Sequence, residues 1–343
     1  LASLNFPLFP VIKYSSSIYL QTITLIKKFL KKTLMQRSKK ESDSQKLKMM
    51  VIGIGDASFK IIETKPQNLD LRTLAIGYDK EQLKFLKTEK KFFVNDTLKN
   101  KIDSSESIQG ISKVVSKIEE EFRGFFSIAN IVFVLTDLAD TNIKLASILL
   151  KLANDSKAIP IPVIMADDIL SDGKENSKAK FSELKLYSNS FIIREDEQRT
   201  IFSRGYSPFW EKIEGLYLSL ALPSLVNIDF ADFRTVINKG GACYIGVGEG
   251  KGDKKTINSY ERALKSKFDL ELDDVKGALI NIIGSKDLAL KESTNVTGHI
   301  EERIHKNAEI IWGVSLTDNS PDILKVVIVL TGVKYPELED YLS

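Results

Sequence analysis

The chain has 343 residues, of which 43% are apolar and 28% charged, an ordinary composition for a folded globular protein. Forty-nine Lys and Arg against 46 Asp and Glu leave a net charge of +3. That argues against nucleic acid as the main partner, because phosphate neutralisation needs a strongly basic face.

Residues 1–48 mix apolar, aromatic and Lys residues and end in a polar run, Gln36 to Lys48, that reads as a linker. This extension fits an amphipathic membrane-surface segment or a signal. It equally fits an over-extended gene start, with translation beginning at Met35, Met49 or Met50. No run of about 18 apolar residues occurs, so no transmembrane helix is expected.

Met50 to Gly55 is an apolar run ending in glycines, hence a buried strand entering a turn. Leu71 to Ile76 reads as a strand, Ile111 to Phe122 as a helix, Ile128 to Leu135 as a β-branched strand and Asn142 to Leu152 as a helix. Ile159 to Met165 is another strand, which Pro160 and Pro162 push toward a sheet edge or a strand end. Asp167 to Ser188 is polar and reads as a loop with one short helix, and Phe191 to Ile193 as a short strand. Alternation of strands and helices implies a parallel sheet covered by helices.

Pro208 opens a helix running to Ala221, closed by Pro223, a candidate connector between domains. Beyond it, Ala242 to Val247, Gly277 to Ile283, Glu309 to Val314 and Leu324 to Thr331 read as strands, and Ser259 to Ser266 and Asn295 to Asn307 as helices. The last two strands flank Asp318 to Pro321, which predicts a hairpin and therefore a mixed sheet. Cys243, the single cysteine, excludes an intramolecular disulfide framework and fits a reducing cytosol. It lies in an apolar run and reads as a small buried filler. His299 and His305 read as surface residues of a helix, and with no Cys or Asp cluster beside them no metal site is expected. The closing stretch, Tyr335 to Leu342, is acidic with aromatic anchors and reads as a frayed, solvated tail.

From Leu225 onward the order of motifs resembles FtsZ. Asn227, Asp229 and Asp232 stand at the three polar positions of that family's NxDxxD synergy loop. Gly240 to Gly248 resembles the next strand and turn, Gly277 to Gly284 the G-x-L-x-N-I-x-G strand, and Glu309 to Gly313 and Val326 to Gly332 the last two strands. The resemblance covers about residues 50–333. It implies an α/β fold of the FtsZ/tubulin type. A Rossmann-like parallel-sheet nucleotide domain would occupy residues 49–205, a central helix 206–222, and a smaller α+β domain with a mixed sheet 223–333, followed by the tail 334–343.

The resemblance also implies GTP, with Mg²⁺ if GTP binds. In the family, glycine-rich turns let backbone N–H groups reach the phosphates, where a side chain would block the approach. The first turn, usually GxGGxGxN, keeps Gly53 and Gly55, but Asp56 and Ser58 replace the next two glycines and Lys60 the asparagine. The signature GGGTGTG falls on Ala139 to Leu145, which has no glycine and retains Thr141. Tyr206 stands where the family has an Asp for guanine, while Asp79 matches the acidic residue of the second loop. Lys60 and Lys144 are the candidate compensating charges. The remnants Gly53, Gly55, Asp79 and Thr141 are therefore the candidate GTP contacts, and Asn227, Asp229 and Asp232 the residues that would orient water at a neighbour's γ-phosphate.

An intact donor loop beside an altered acceptor site implies a cytoplasmic, filament-type pseudo-GTPase in cell division or cell shape. Its partners would be FtsZ-family subunits, either itself or a GTP-binding paralogue, joined longitudinally. Membrane contact would be indirect or through the extension. The alternatives are a diverged, polymerising GTPase, an enzyme of another class on the same scaffold, for which no nucleophile motif is present, and a domain remodelled purely for protein binding.

Overall fold

A computed structural model describes residues 47–105, 112–195, 207–318 and 322–342. The extension up to Lys46, Tyr206 and most of the turn at residues 318–321 lie outside the described residues.

β1 (Met49–Ile54) is buried at all six positions. A strand covered on both faces needs a near-continuous apolar run, and alternate residues serve opposite layers. Met50, Ile52 and Ile54 pack on one side with Phe122 and Ile143, whereas Met49 and Val51 pack on the other with Trp210 and Phe233. α1 (Asp56–Glu63) leads to β2 (Arg72–Gly77), α2 (Lys80–Phe85), β3 (Lys90–Phe93), α3 (Asp96–Asp103) and α4 (Ser112–Phe126). β4 (Ile131–Thr136), α5 (Asp140–Asp155), β5 (Ile159–Met165), α6 (Ala166–Asp172), α7 (Lys174–Lys185) and β6 (Ser190–Arg194) complete the first half. Its strands run in the order β3-β2-β1-β4-β5-β6, all parallel.

α8 (Pro208–Ala221) is a helix at the predicted bounds. Ser207 caps it and Pro208 occupies its first turn, where a missing N–H costs nothing. Trp210 is fully buried and donates its indole N–H to the Ile61 carbonyl at 2.7 Å. A β-carbon at Gly215 would lie 2.7 Å from Val247 Cγ2, so only glycine lets the helix sit this close to the sheet.

β7 (Ser224–Val226), α9 (Phe230–Ile237), β8 (Gly241–Lys251), α10 (Lys255–Ala263), β9 (Gly277–Ser285), α11 (Leu290–Glu301), β10 (Glu309–Thr317), β11 (Ile323–Val333) and α12 (Glu339–Leu342) follow. β6 pairs with β8 through Ser190–Gly241, Phe191–Ala242 and Ile192–Cys243, and the sheet continues as β8-β11-β9-β10-β7. This part is mixed, as expected, but not through the predicted hairpin: β10 and β11 are not neighbours. β9, buried at all nine positions, lies between them, parallel to β10 and antiparallel to β11. A strand buried along its whole length takes a place with a partner on each edge.

Four further expectations are corrected. β5 is an interior strand despite Pro160 and Pro162, because its pairing with β6 begins only at Val163 and spares the residues that lack an N–H. Asp167 to Ser188 carries two helices, α6 and α7, separated by Gly173 at φ +86. The tail is docked: Tyr335 and Leu338 are fully buried, and the Lys185 ammonium donates to the Leu342 carbonyl at 2.7 Å. His299 lies on α11 and stacks on Tyr260, but His305 falls beyond the helix, which ends at Glu301. Among the described residues no helix is long and apolar enough to cross a membrane.

Candidate functional site

In an open parallel sheet, ligands bind beyond the carboxyl ends of the strands. Here that end gathers the turn after β1, Tyr78 and Asp79 after β2, and Asp137 to Asn142 after β4. Gly53 serves packing, since a β-carbon there would lie 2.6 Å from both Ile62 Cδ1 and Ser58 Oγ. Gly55 has φ +75 and ψ 172, a conformation nearly reserved to glycine. A β-carbon on it would lie 3.0 Å from Asn142 Nδ2.

Asn142 is buried and fixed from two sides. Its amide donates to Asp137 Oδ1 at 2.7 Å, and its carbonyl accepts from the Tyr78 hydroxyl. Burial, with the Asp137 and Asp103 charges nearby, pushes the Tyr78 hydroxyl well above the ordinary phenol range. Asp137 Oδ1 also accepts the Ala139 N–H at 3.0 Å, which helps start α5 without a side-chain cap. Tyr78, Asp137 and Asn142 thus form a closed polar cluster over Gly55. Sequence reasoning placed Asn142 in the altered turn but assigned none of the three a role. The short polar stretch after each strand was the only signal, and the fold alone brings Tyr78 to residues 64 positions away.

The other expected remnants also have local work. Asp79 is exposed and caps α2, accepting from the N–H groups of Glu81 at 2.8 Å and Gln82 at 3.1 Å. Thr141 donates to the Asp103 carboxylate at the end of α3. The Lys144 ammonium lies on the carbonyls of Ile102, Asp103 and Ser105 at 3.1, 3.0 and 2.8 Å, where a cation meets the negative end of the α3 dipole. Beside the cluster, Ser58, Thr136, Met165 and Arg194 help line a cavity of about 10 Å³, room for about one water.

The candidate loop stands at the opposite end of the strands. Arg234 of α9 donates to the Lys157 carbonyl, just before β5, at 2.9 Å, and Ser190 at the start of β6 donates to the Ile237 carbonyl at 2.7 Å. Asn227 and Asp229 are exposed and Asp232 half-buried. Asp229 and Asp232 form a capping box on α9, and Asn227 Oδ1 accepts from Ser224 Oγ at 3.1 Å. The two predicted sets of residues therefore lie at opposite ends of one molecule. No single copy brings them together.

Comparison with known proteins places this geometry. The C-terminal domain of the FtsZ family matches residues 241–334. Cell division protein FtsZ 1 of Methanocaldococcus jannaschii is 26% identical over 306 residues, covering 84% of each chain. The FtsZ of Haloferax mediterranei is 28% identical over 235 residues, 64% of this chain and 62% of that one. Among solved structures, an empty FtsZ dimer from M. jannaschii superposes with a TM-score of 0.65 at 24% identity, over 89% of this chain and 96% of the other. CetZ2 from Haloferax volcanii, a protofilament with GTPγS bound, gives 0.67 at 16% identity over 86% and 96%. The structures establish the shared fold, and the sequence matches extend it over most of the chain: this protein is a divergent member of the FtsZ/tubulin superfamily.

Proposed function

We propose that this protein is a filament-type member of its superfamily that acts in cell division or cell shape without gripping GTP itself. It docks its Asn227–Asp232 loop on the nucleotide end of a neighbour, either another copy or a GTP-binding relative. The observation that carries this reading is Asn142, locked to Asp137 and Tyr78 and set against Gly55. A triphosphate needs bare backbone N–H groups and positive potential there. Instead a side-chain amide fills the approach, Asp56 and Asp137 bring negative charge, and Lys144 is committed to α3. The residues present do not fit the phosphates, so no hydrolytic step is assigned to this site, nor any role to Mg²⁺. The exposed loop supports the donor half of the reading. The relatives named as cell division proteins and the protofilament of CetZ2 support the assembly.

One observation favours the second reading, a diverged GTPase that polymerises. Gly55 starts α1 with no side-chain cap, which leaves first-turn N–H groups open to an anion. Calorimetry of the full chain with GTP and Mg²⁺ separates the two. The proposal expects no binding at millimolar GTP, and micromolar binding would overturn it. Co-sedimentation with a GTP-loaded FtsZ then tests docking. Asp229→Asn keeps a capping oxygen while removing the charge, so loss of co-sedimentation by a normally folded variant supports the loop's role.

A further inference from the structure

We propose that the β3 edge of the sheet, with α2 beside it, is a docking surface for an anionic lipid bilayer. Among the described residues β3 ends the sheet, paired only with β2. Its residues alternate. Phe92 is buried against Phe122 on one side of the sheet, while Lys91 and Phe93 are exposed on the other. That other side is α2's, because the Lys91 ammonium donates to the Lys84 carbonyl at 2.8 Å. Phe85 is 74% exposed, the most of any large apolar side chain among the described residues, and its neighbour Phe93 is 38% exposed.

The charge around these rings is sorted. Lys80, Lys84, Lys87 and Lys91 are exposed, and Lys84 lies over the Phe85 ring at 5.7 Å. The acids nearby are exposed Asp79 at the start of α2, Glu81 at 3.9 Å from Lys84, and Glu89 at 3.7 Å from Arg72, while Glu121 on the far side takes Lys90 at 2.7 Å; Lys80, Lys87 and Lys91 add to the cations on the α2 side. A chain of nearly balanced charge thus concentrates cations around two exposed phenylalanines.

This chemistry matches a lipid surface better than a peptide. Peptide recognition needs a groove with side-chain pockets or a long strand edge. β3 has four residues, and the larger clefts lie elsewhere, beside Lys276 and beside Asn189. A ring that projects from the surface, surrounded by flexible lysines, suits insertion into the headgroup layer while the ammonium groups meet lipid phosphates. The edge also faces sideways from the strand axis that joins the two ends of the molecule. Copies stacked along that axis would lie flat on a membrane, although lipid binding by a single copy does not rest on stacking.

The test is flotation of the full chain with vesicles of phosphatidylcholine alone, or of phosphatidylcholine and phosphatidylglycerol in equal parts. Binding is expected on the anionic vesicles only, weakening as salt rises. Lys84→Gln with Lys91→Gln should lower it about 30-fold, two cations' worth of attraction. Phe85→Ser with Phe93→Ser should lower it at unchanged charge, and the melting curves of both variants check their folding. Unchanged flotation of folded variants would assign any lipid binding to another part of the chain and overturn the proposal. So would absence of wild-type flotation, or retention by poly-glutamate of wild-type protein that ignores vesicles.

Discussion

Asp229 and Asp232 hold each other's backbone. Asp229 Oδ1 accepts the N–H groups of Ala231 at 2.8 Å and Asp232 at 3.0 Å, and Asp232 Oδ2 returns to the Asp229 N–H at 2.8 Å. The same carboxylates that family resemblance assigns to a neighbour's nucleotide are, within one molecule, the cap of α9.

Structural and assembly roles can therefore be separated by substitution. Asp229→Ala should destabilise the fold by about 1 kcal/mol through the lost cap, while Asp229→Asn should cost only a few tenths. Urea unfolding followed by circular dichroism measures both. If the alanine variant is as stable as the parent, the capping geometry carries no weight.

Gly55 is constrained twice, by its backbone and by Asn142. Gly55→Ala should cost about 1–3 kcal/mol from the backbone conformation alone. Adding Asn142→Ala removes the 3.0 Å neighbour but not the strained φ of +75. The double variant should stay well below the parent in thermal melts, and full recovery would show that crowding alone set the cost.

The docked tail makes a contrast between core and surface. Tyr335→Ala should destabilise by about 3–5 kcal/mol, as for other large aromatic truncations in a core. Among the described residues its buried hydroxyl finds no hydrogen-bond partner, so Tyr335→Phe should be neutral or stabilising. Lys174→Ala breaks an exposed pair with Asp340 and should cost little. Denaturant midpoints of the three variants rank these effects, and equal losses for Tyr335→Ala and Lys174→Ala would refute the burial argument.

Cys243 is fully buried, and burial pushes its thiol up to about 12 from 9.0. The folded form keeps a proton that the unfolded chain loses first. This contribution is fully present below pH 9 and is lost between 9 and 12, at about 1.4 kcal/mol per pH unit. Cys243→Ser should reduce the fall in stability across that window, measured by urea unfolding at stepped pH. In the native protein the thiol should resist iodoacetamide at pH 8 (~10-fold or more slower than in urea).

Much of this architecture was legible in the chain. Ile159 to Met165 and Pro208 to Ala221 emerge at their expected bounds because a continuous apolar run, or an apolar stripe opened by proline, is a local property. The glycine substitutions at Asp56, Ser58 and residues 139–145 were equally visible, since they need only a motif to be measured against. β3 was missed: four residues, two of them lysines, carry too little periodicity to announce a strand. The burial of Tyr335 and Leu338 was missed because an acidic stretch looks solvated until α7 is placed beneath it. The hairpin failed because pairing partners are chosen by burial across the whole sheet, and β9 outcompeted the short-range alternative. Sequence alone thus determined most of the longer strands and helices and which motif positions have changed. Tertiary structure decided that Tyr78, Asp137 and Asn142 close over Gly55, and that Asp229 lies at the far end of the molecule from them. Those relationships join residues through the sheet rather than along the chain, where no local pattern can encode them.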